Sequence, residues 1–501
     1  MKSALVPYLA TGIALVGATG IAVAPVTPPA PVVQVRAVQL TAGETVGLVI
    51  GGSGTPIPGT DYVNAANNLY IHPNFPDTTY PGVLANGLFT PEGLYPLDGI
   101  NVLRLNYPAD PATGFPAQST SVGQGMTILD NNIHAQLADH NDVTVFGYSQ
   151  SSTIASLEMQ QLDPSGTPSD LPVQFVLIGD PSAPNGGILE RFNGFQTMAG
   201  DSHVLPLNLP SLGFSFDGAT PADDFNTAIY SMEYDGFTDF PRYPLNFLAD
   251  LNAFLGIKEI HGTYLNGGVN GSGPTPEQIA NATLLPGSEH SPTDPCAGCL
   301  TDYYLIDQTP PLVAMLPKPL QALLGPDLTY LINLGYGDGS LGYSDAPANV
   351  ATPFGLFPDV SMSTVFDHLA SGWAAGMKAF MSDMSNPSTL AAAVSTAPAA
   401  VSDAVAGGSS SPTDLVDAFS SALSALNGGI SGLNDVFNAL GTTLPAYEAS
   451  LFTANLGSGD LLDAFGLPMA ASTGLYTLAG GFGLQIITNT ISAMESAFAG
   501  L

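Results

Sequence analysis

Ser149 sits in Gly147-Tyr148-Ser149-Gln150-Ser151, where an apolar run stops abruptly and a helical pattern begins. Val143, Val145 and Phe146 read as a short buried strand, and Ile154 and Leu157 recur at helical spacing beyond the serine. A serine on such a strand-to-helix turn has its hydroxyl lifted above the end of a sheet, as a nucleophile elbow requires. Small neighbours must let strand and helix approach each other, and Gly147 meets that need. The fifth position carries Ser151, small enough to fit but looser than the glycine of the usual G-x-S-x-G pattern. The backbone N–H of Gln150 would point at the same place, as an oxyanion donor does. In a chain this rich in glycine and serine a bare GxSxS also arises by chance, so the motif needs partners.

A base has to come from seven histidines, His72, His134, His140, His203, His261, His290 and His368. Hydrolases of the α/β type order their groups as serine, acid, histidine, which removes the first three. His203 leaves only a short interval containing Asp180, His290 lies in an acidic loop, and His368 lies in the tail. His261 closes the run IKEIH, where the chain beyond the last strand returns to the sheet edge. Its competing reading is a surface-loop histidine. For the acid, Asp235 leads because it ends the strand candidate before His261, where a carboxylate would accept the Nδ1–H and fix the tautomer. Asp239, in TDFPR, suits pairing with Arg242 or capping a turn, and Asp180, in GDP, suits shaping a turn. The chemistry is then acyl transfer. His261 takes the proton of Ser149, Ser149 attacks an ester carbonyl, N–H groups near Gln150 and Ser53 hold the oxyanion, and water releases the acyl group. No cofactor, metal ligand or substrate-binding residue is assigned.

These groups need a sheet that presents its strand ends on one side. Thr45 to Ile50 is a short apolar strand candidate opening into Gly51-Gly52-Ser53-Gly54-Thr55-Pro56, either a plain tight loop or an oxyanion loop. A phosphate loop is disfavoured because no GK[ST] follows. Ile100 to Arg104 is a second strand candidate, and Val122, Met126, Leu129, Ile133 and Leu137 mark one helix face. Val173 to Ile178 and Ala228 to Tyr234 are further strands, ending near Asp180 and Asp235. This rhythm predicts an α/β fold, a mostly parallel sheet with flanking helices whose site lies at the carboxyl ends of the strands. The greasy loop from Ser202 to Phe225 reads as a lid, an acyl-binding wall or an irregular core cover, and Gly262 to Pro311 reads as irregular. Leu312 to Leu334 reads as helical.

Composition narrows the class. The 501 residues carry 42 acidic and only 8 basic side chains, a formal charge of −34. Too few cations are present to bind a nucleic-acid backbone or to cling to anionic lipid by a basic patch. The apolar run from Leu5 to Ala24, after Lys2, reads as an export segment, either a signal cleaved near Ala24 or a retained N-terminal anchor. A Pro-rich linker follows, so the chain divides into 1–40, a catalytic unit over 41–345 and a partly helical Ala/Gly/Ser-rich extension over 346–501. Thr364 to Met381 and Leu415 to Leu426 carry its helical periodicity. The two cysteines, Cys296 and Cys299, form one C-A-G-C. With no further soft ligands nearby, they read as a local disulfide of an oxidising compartment rather than a zinc site.

The stretches GGSGTPIPGTDYVNAANNLYIHPNFP (51 to 76), VFGYSQSS (145 to 152), EYDGFTDFPRYPLN (233 to 246), HGTY (261 to 264) and INLGYGD (332 to 338) resemble those of mycobacterial PE-PPE-domain proteins. These are serine esterases of the α/β-hydrolase type, related in layout to cutinases, and their pattern admits GxSxS. The resemblance implies a Ser149, Asp235, His261 triad acting on short- to medium-chain carboxyl esters or lipid-like esters. It also implies a secreted or cell-envelope location and membrane or envelope association. An N-terminal PE or PPE helical module is not expected ahead of the hydrolase, nor are partners that pair with one. The competing expectation is an inert envelope protein built on the same scaffold.

Overall fold

In the computed structural model, residues 44–53, 55, 58–79, 87–88, 121–192, 208–209, 214–216, 218–384 and 444–498 are described, with isolated positions between 420 and 441. The export segment, the strand expected at Ile100 to Arg104 and part of the loop from Ser202 to Phe225 lie outside them.

The strands in chain order are β1 (Thr45–Ile50), β2 (Thr78–Thr79), β3 (Gly87–Leu88), β4 (Asp142–Tyr148), β5 (Val173–Ile178), β6 (Asn208–Leu209), β7 (Phe214–Ser215), β8 (Asn226–Met232), β9 (Thr283–Leu284) and β10 (Thr301–Ile306). Eight of them form one sheet in the order β2-β1-β4-β5-β8-β10-β9, with β3 also on β1. Every pairing in it is parallel except β9 with β10. The fold is therefore α/β. β1, β4, β5, β8 and β10 all run the same way, which brings Gly51, Ser149, Gly179 and Glu233 to one edge of the sheet.

The longer helices are α1 (Ser121–Ala138), α2 (Gln150–Leu162), α3 (Phe247–Glu259), α4 (Lys318–Asn333), α5 (Met362–Met384), α6 (Leu444–Ser458) and α7 (Leu461–Phe498). Side chains alternate between the two faces of the sheet. Val143, Val145, Phe175 and Leu177 meet Met126, Leu129 and Ile133 of α1 and Ile154 and Leu157 of α2. Phe146, Val176, Ile178, Tyr230 and Met232 meet Tyr70, Ile71, Ala249 of α3 and Ile332 of α4. Both faces are covered, which is why these strands read as continuous apolar runs. Each fully buried side chain of this size contributes about 1.5–3 kcal/mol of hydrophobic stabilisation.

Two regions differ from the sequence expectation. The strand expected at Ala228 to Tyr234 lies at Asn226–Met232, because Tyr234 takes a positive φ of 67° that no strand accepts. The stretch expected to be irregular contains β10, TDYYLI, paired in parallel with β8 over its whole length. Its Tyr, Leu and Ile suit a strand, but the surrounding Pro, Gly and Cys mask the signal. Cys296 and Cys299 are joined by a disulfide. Residues Leu40–Leu501 form one compact unit. Among the described residues no helix is long and apolar enough to cross a membrane.

Candidate active site

The turn at Ser149 follows from glycine and serine at fixed places. A Cβ on Gly147 would come within 2.7 Å of the Ser151 carbonyl oxygen and 2.9 Å of Ser152 Cα, so only glycine lets the helix fold back on β4. Ser149 then takes φ 58° and ψ −118°, a strained conformation for a side-chain-bearing residue. Gln150 begins α2, where backbone N–H groups have no acceptor one turn back and the helix dipole is positive. Ser151, fully buried, accepts from Tyr148 N–H at 2.7 Å and reaches the carbonyl oxygens of Ile50 at 3.1 Å and Tyr148 at 3.0 Å. A glycine at this fifth position would lack the hydroxyl that joins Ile50 O to the turn.

The glycine-rich loop after β1 passes directly over that turn. A Cβ on Gly52 would stand 3.1 Å from the Tyr148 carbonyl oxygen and 3.7 Å from Ser149 Cβ. Gly52 N–H donates to Tyr62 Oη at 3.3 Å, which donates onward to Ile50 O at 3.4 Å. Ser53 is next in this loop, and its buried Oγ has no hydrogen-bond partner among the described residues.

The acid turn opens where β8 ends. Asp235 is fully buried, and Oδ1 accepts from Phe237 N–H at 3.1 Å. His261 begins a short 3-10 turn just beyond α3. Its Nδ1 lies 2.7 Å from Asp235 Oδ2 and its Nε2 lies 2.7 Å from Ser149 Oγ. The three residues thus form one hydrogen-bonded chain, with His261 only 8% exposed.

The runner-up acids are engaged elsewhere. Asp180 Oδ1 accepts from Ser182 N–H at 3.0 Å and Oδ2 from the Thr220 hydroxyl at 2.6 Å, and burial pushes its pKa up to about 6. Asp239 Oδ2 accepts from Tyr234 N–H at 2.9 Å, so it holds the left-handed residue that precedes Asp235. Of the two roles expected for it, capping a turn is the one observed; its neighbouring cation is Arg191, and the Arg242 guanidinium lies 5.5 Å from the Tyr243 ring centroid. Burial, more than any neighbour, raises the Asp239 pKa well above the usual carboxylate range. His290 is exposed and paired with Asp302 at 2.9 Å, and His368 stacks on Tyr330 at 4.4 Å. His203 lies outside the described residues.

Three supports of the site escaped the sequence reading. Tyr264 donates to Asp235 Oδ2 at 2.9 Å, the same oxygen that His261 meets, while its Oη accepts from Met232 N–H at 2.8 Å. Burial first, and the Asp235 charge second, raise its pKa well above the usual value, so the phenol keeps its proton. Tyr148 donates to the His261 carbonyl oxygen. Gly179 has φ 54°, and a Cβ there would stand 3.2 Å from the His261 ring and 3.1 Å from Tyr264. The tyrosines flank the serine and histidine in GYS and HGTY, and that adjacency is the signal that could have found them.

The PE-PPE domain family model matches residues 81–337. An uncharacterized PPE family protein of Mycobacterium tuberculosis, PPE28, is 39% identical over 500 residues, covering 91% of this chain and 68% of that protein. The protein named Esterase PE16 from the same organism is 40% identical over 323 residues, covering 64% of this chain and 53% of its own length. PE family protein PE3, also from M. tuberculosis, is 35% identical over 353 residues, with 68% and 64% covered. The chain belongs to the PE-PPE domain family.

Proposed function

We propose that this protein is a serine carboxylester hydrolase acting on short- to medium-chain acyl esters or lipid-like esters through an acyl-enzyme. The observation that carries the reading is the chain from Asp235 Oδ2 through His261 to Ser149 Oγ, with both hydrogen bonds at 2.7 Å. Its similarity to a relative named as an esterase supports the same class.

In this reading His261 Nε2 takes the Ser149 proton as Oγ bonds to the ester carbonyl carbon, and the carbonyl electron pair moves onto oxygen. Asp235 holds Nδ1–H and orients the ring. The N–H of Gln150, at the positive end of α2, and that of Ser53 stabilise the oxyanion. As the carbonyl re-forms, the carbon–oxygen bond to the alcohol breaks and His261 returns the proton to the leaving alkoxide. Water, deprotonated by the same base, then cleaves the acyl-serine. The N-terminal apolar segment supports export, with the enzyme secreted or held at the cell envelope.

Fluorophosphonate labelling of the full chain tests the assignment. The wild type should label, and Ser149→Ala and His261→Ala should not. Labelling that persists in Ser149→Ala sinks the nucleophile. No labelling and no ester hydrolysis in the wild type would leave the inert-scaffold reading in its place. A p-nitrophenyl ester series of increasing chain length then sets the acyl preference.

A further inference from the structure

Helix α7 lies beyond the residues matched by the family model, yet it packs on the α/β unit beside the site. Its buried face, Ala470, Leu475, Leu478, Phe482 and Ile486, recurs at helical spacing. These side chains share one apolar cluster with Phe192, Phe240 and Ile257 of the α/β unit. Glycines set the closeness of the contact. A Cβ on Gly474 would come within 2.9 Å of the Phe192 ring and 3.1 Å of Pro244, and one on Gly481 would collide with the Phe254 ring of α3. The helix is therefore seated at interior density against α3, the helix that leads into His261.

At this crossing the Phe482 ring stacks on Phe237, with centroids 6.3 Å apart and planes 25° apart. Phe237 meets His261 edge to face, with centroids 4.5 Å apart and planes at 66°, and its backbone N–H donates to Asp235 Oδ1. One residue thus touches both the base and the acid, and its ring is backed from the C-terminal helix. Phe482 is itself only 4% exposed.

We infer that Phe482 is a positioning residue: through Phe237 it holds the His261 ring and the acid turn, so that α7 reaches the site through this crossing. The inference rests on the serine-hydrolase reading for its kinetic consequence, but not for its structural one. Truncating Phe482 removes the ring stacked on Phe237, which loosens that ring and the base and acid it touches. Small displacements at reacting groups have large effects on rate, because attack and proton transfer both need near-contact geometry.

The test uses the full chain with Phe482→Ala, Phe482→Leu and Leu475→Ala. Leu475 lies in the same cluster about two helical turns from Phe482 and serves as the packing control. Phe482→Ala should lower kcat on p-nitrophenyl butyrate about ten- to a hundredfold, with KM changed by less than about twofold. Phe482→Leu, which refills most of the volume, should recover much of that loss. Leu475→Ala should lower Tm but leave kcat unchanged. Nitrogen-15 histidine spectra, assigned through His261→Gln, should show the His261 signals moving in Phe482→Ala and not in Leu475→Ala. Equal kcat and unmoved His261 signals in Phe482→Ala overturn the inference. If the wild type turns over no ester, the hydrolase reading fails and the spectra alone decide: moved signals support the positioning role and unmoved signals reject it.

Discussion

The nucleophile turn at Ser149 and the acid turn at Tyr234-Asp235 both place a non-glycine residue at positive φ, 58° and 67°, at the carboxyl end of a parallel strand. They are restrained by different forces. The first is tied mainly by its own neighbours, by Gly147, by the Ser151 hydroxyl on Tyr148 N–H and by the start of α2, with Ile50 O and Ile178 O linking it to the adjoining strands. The second is tied by one near group, Asp239 on Tyr234 N–H, and by groups far apart in sequence: Asn333 on the Tyr234 hydroxyl, Tyr264 on Asp235 and His261 against Phe237. Such strain of about 1–3 kcal/mol per residue persists only where the surroundings over-determine it. The Ser149 turn is thus set mostly by its immediate neighbours, and the Asp235 turn mostly by tertiary packing.

If the two turns form one catalytic unit, breaking either should do equal damage. Ser149→Ala and His261→Ala should each lower kcat by about 10⁴ to 10⁶, and the double variant should be no slower than the worse single one. Steady-state hydrolysis of a p-nitrophenyl ester measures all three. Losses that multiply in the double variant would show that the turns act separately.

The acid turn offers a sharper cut, between the residue that touches His261 and those that only hold the turn. Asp235→Asn should reduce kcat about 10⁴-fold, since an amide cannot hold the Nδ1–H in the same way. Asp180→Asn and Asp239→Asn should stay within about tenfold of the wild type, because each keeps an acceptor where one is needed. A rate near that of the wild type in Asp235→Asn would move the acid elsewhere.

The same contrast explains what was legible in the sequence. The elbow could be read because its requirements are local: an apolar strand, a glycine two residues before the serine, a small residue two after it, and helical spacing beyond. The order of Ser149, Asp235 and His261 narrowed the partners by topology rather than by contact. What could not be read was every support whose partner is distant. Tyr264 finds Asp235 across the loop after α3, and Gly179 matters only because His261 lies over it. Phe482 was invisible for the same reason, since a small-residue, apolar helix reads as a tail until the surface it packs on is known. β10 was missed because its strand signal is six residues long amid turn formers.

Each turn also leads to a helix with a buried carboxyl group, which gives a comparison by pH. Glu158 on α2 is fully buried, and burial first and the Asp130 charge second raise its pKa from 4.5 to about 8. Asp250 on α3 has no hydrogen-bond partner for either oxygen among the described residues, and burial raises its pKa well above the usual range. A carboxyl group with a raised folded-state pKa binds its proton more tightly folded than unfolded. Its contribution is full below the unfolded value and is lost as pH rises through the folded value. For Glu158 the window runs from 4.5 to about 8. Over it the wild type should lose stability, and Glu158→Gln should remove on the order of 2–4 kcal/mol of that loss. Denaturant melts at the two ends of the window measure it. Asp250→Asn should act in the same direction on the other helix. Identical pH slopes in the wild type and Glu158→Gln would show that Glu158 does not titrate there.

The smallest effect separates the two ways of holding a turn. Ser151→Ala removes the acceptor for the buried Tyr148 N–H and the link to Ile50 O, without opening a cavity that a methyl group cannot fill. Leaving that N–H unsatisfied costs about 1–3 kcal/mol, and the loss falls on the residue beside Ser149. Asp239→Ala removes one acceptor from the acid turn, at Tyr234 N–H, but the Tyr234 hydroxyl on Asn333 and the Tyr264 bond to Asp235 remain. Both variants should therefore lose similar stability in denaturant melts. They should differ in rate, Ser151→Ala losing more kcat than Asp239→Ala, because the Ser151 bonds lie directly beside Ser149, whereas loss of Asp239 leaves the Asn333 and Tyr264 bonds to hold the acid turn. Equal rate losses would mean that the helix start alone fixes Ser149, and that the hydroxyl at the fifth position serves stability rather than geometry.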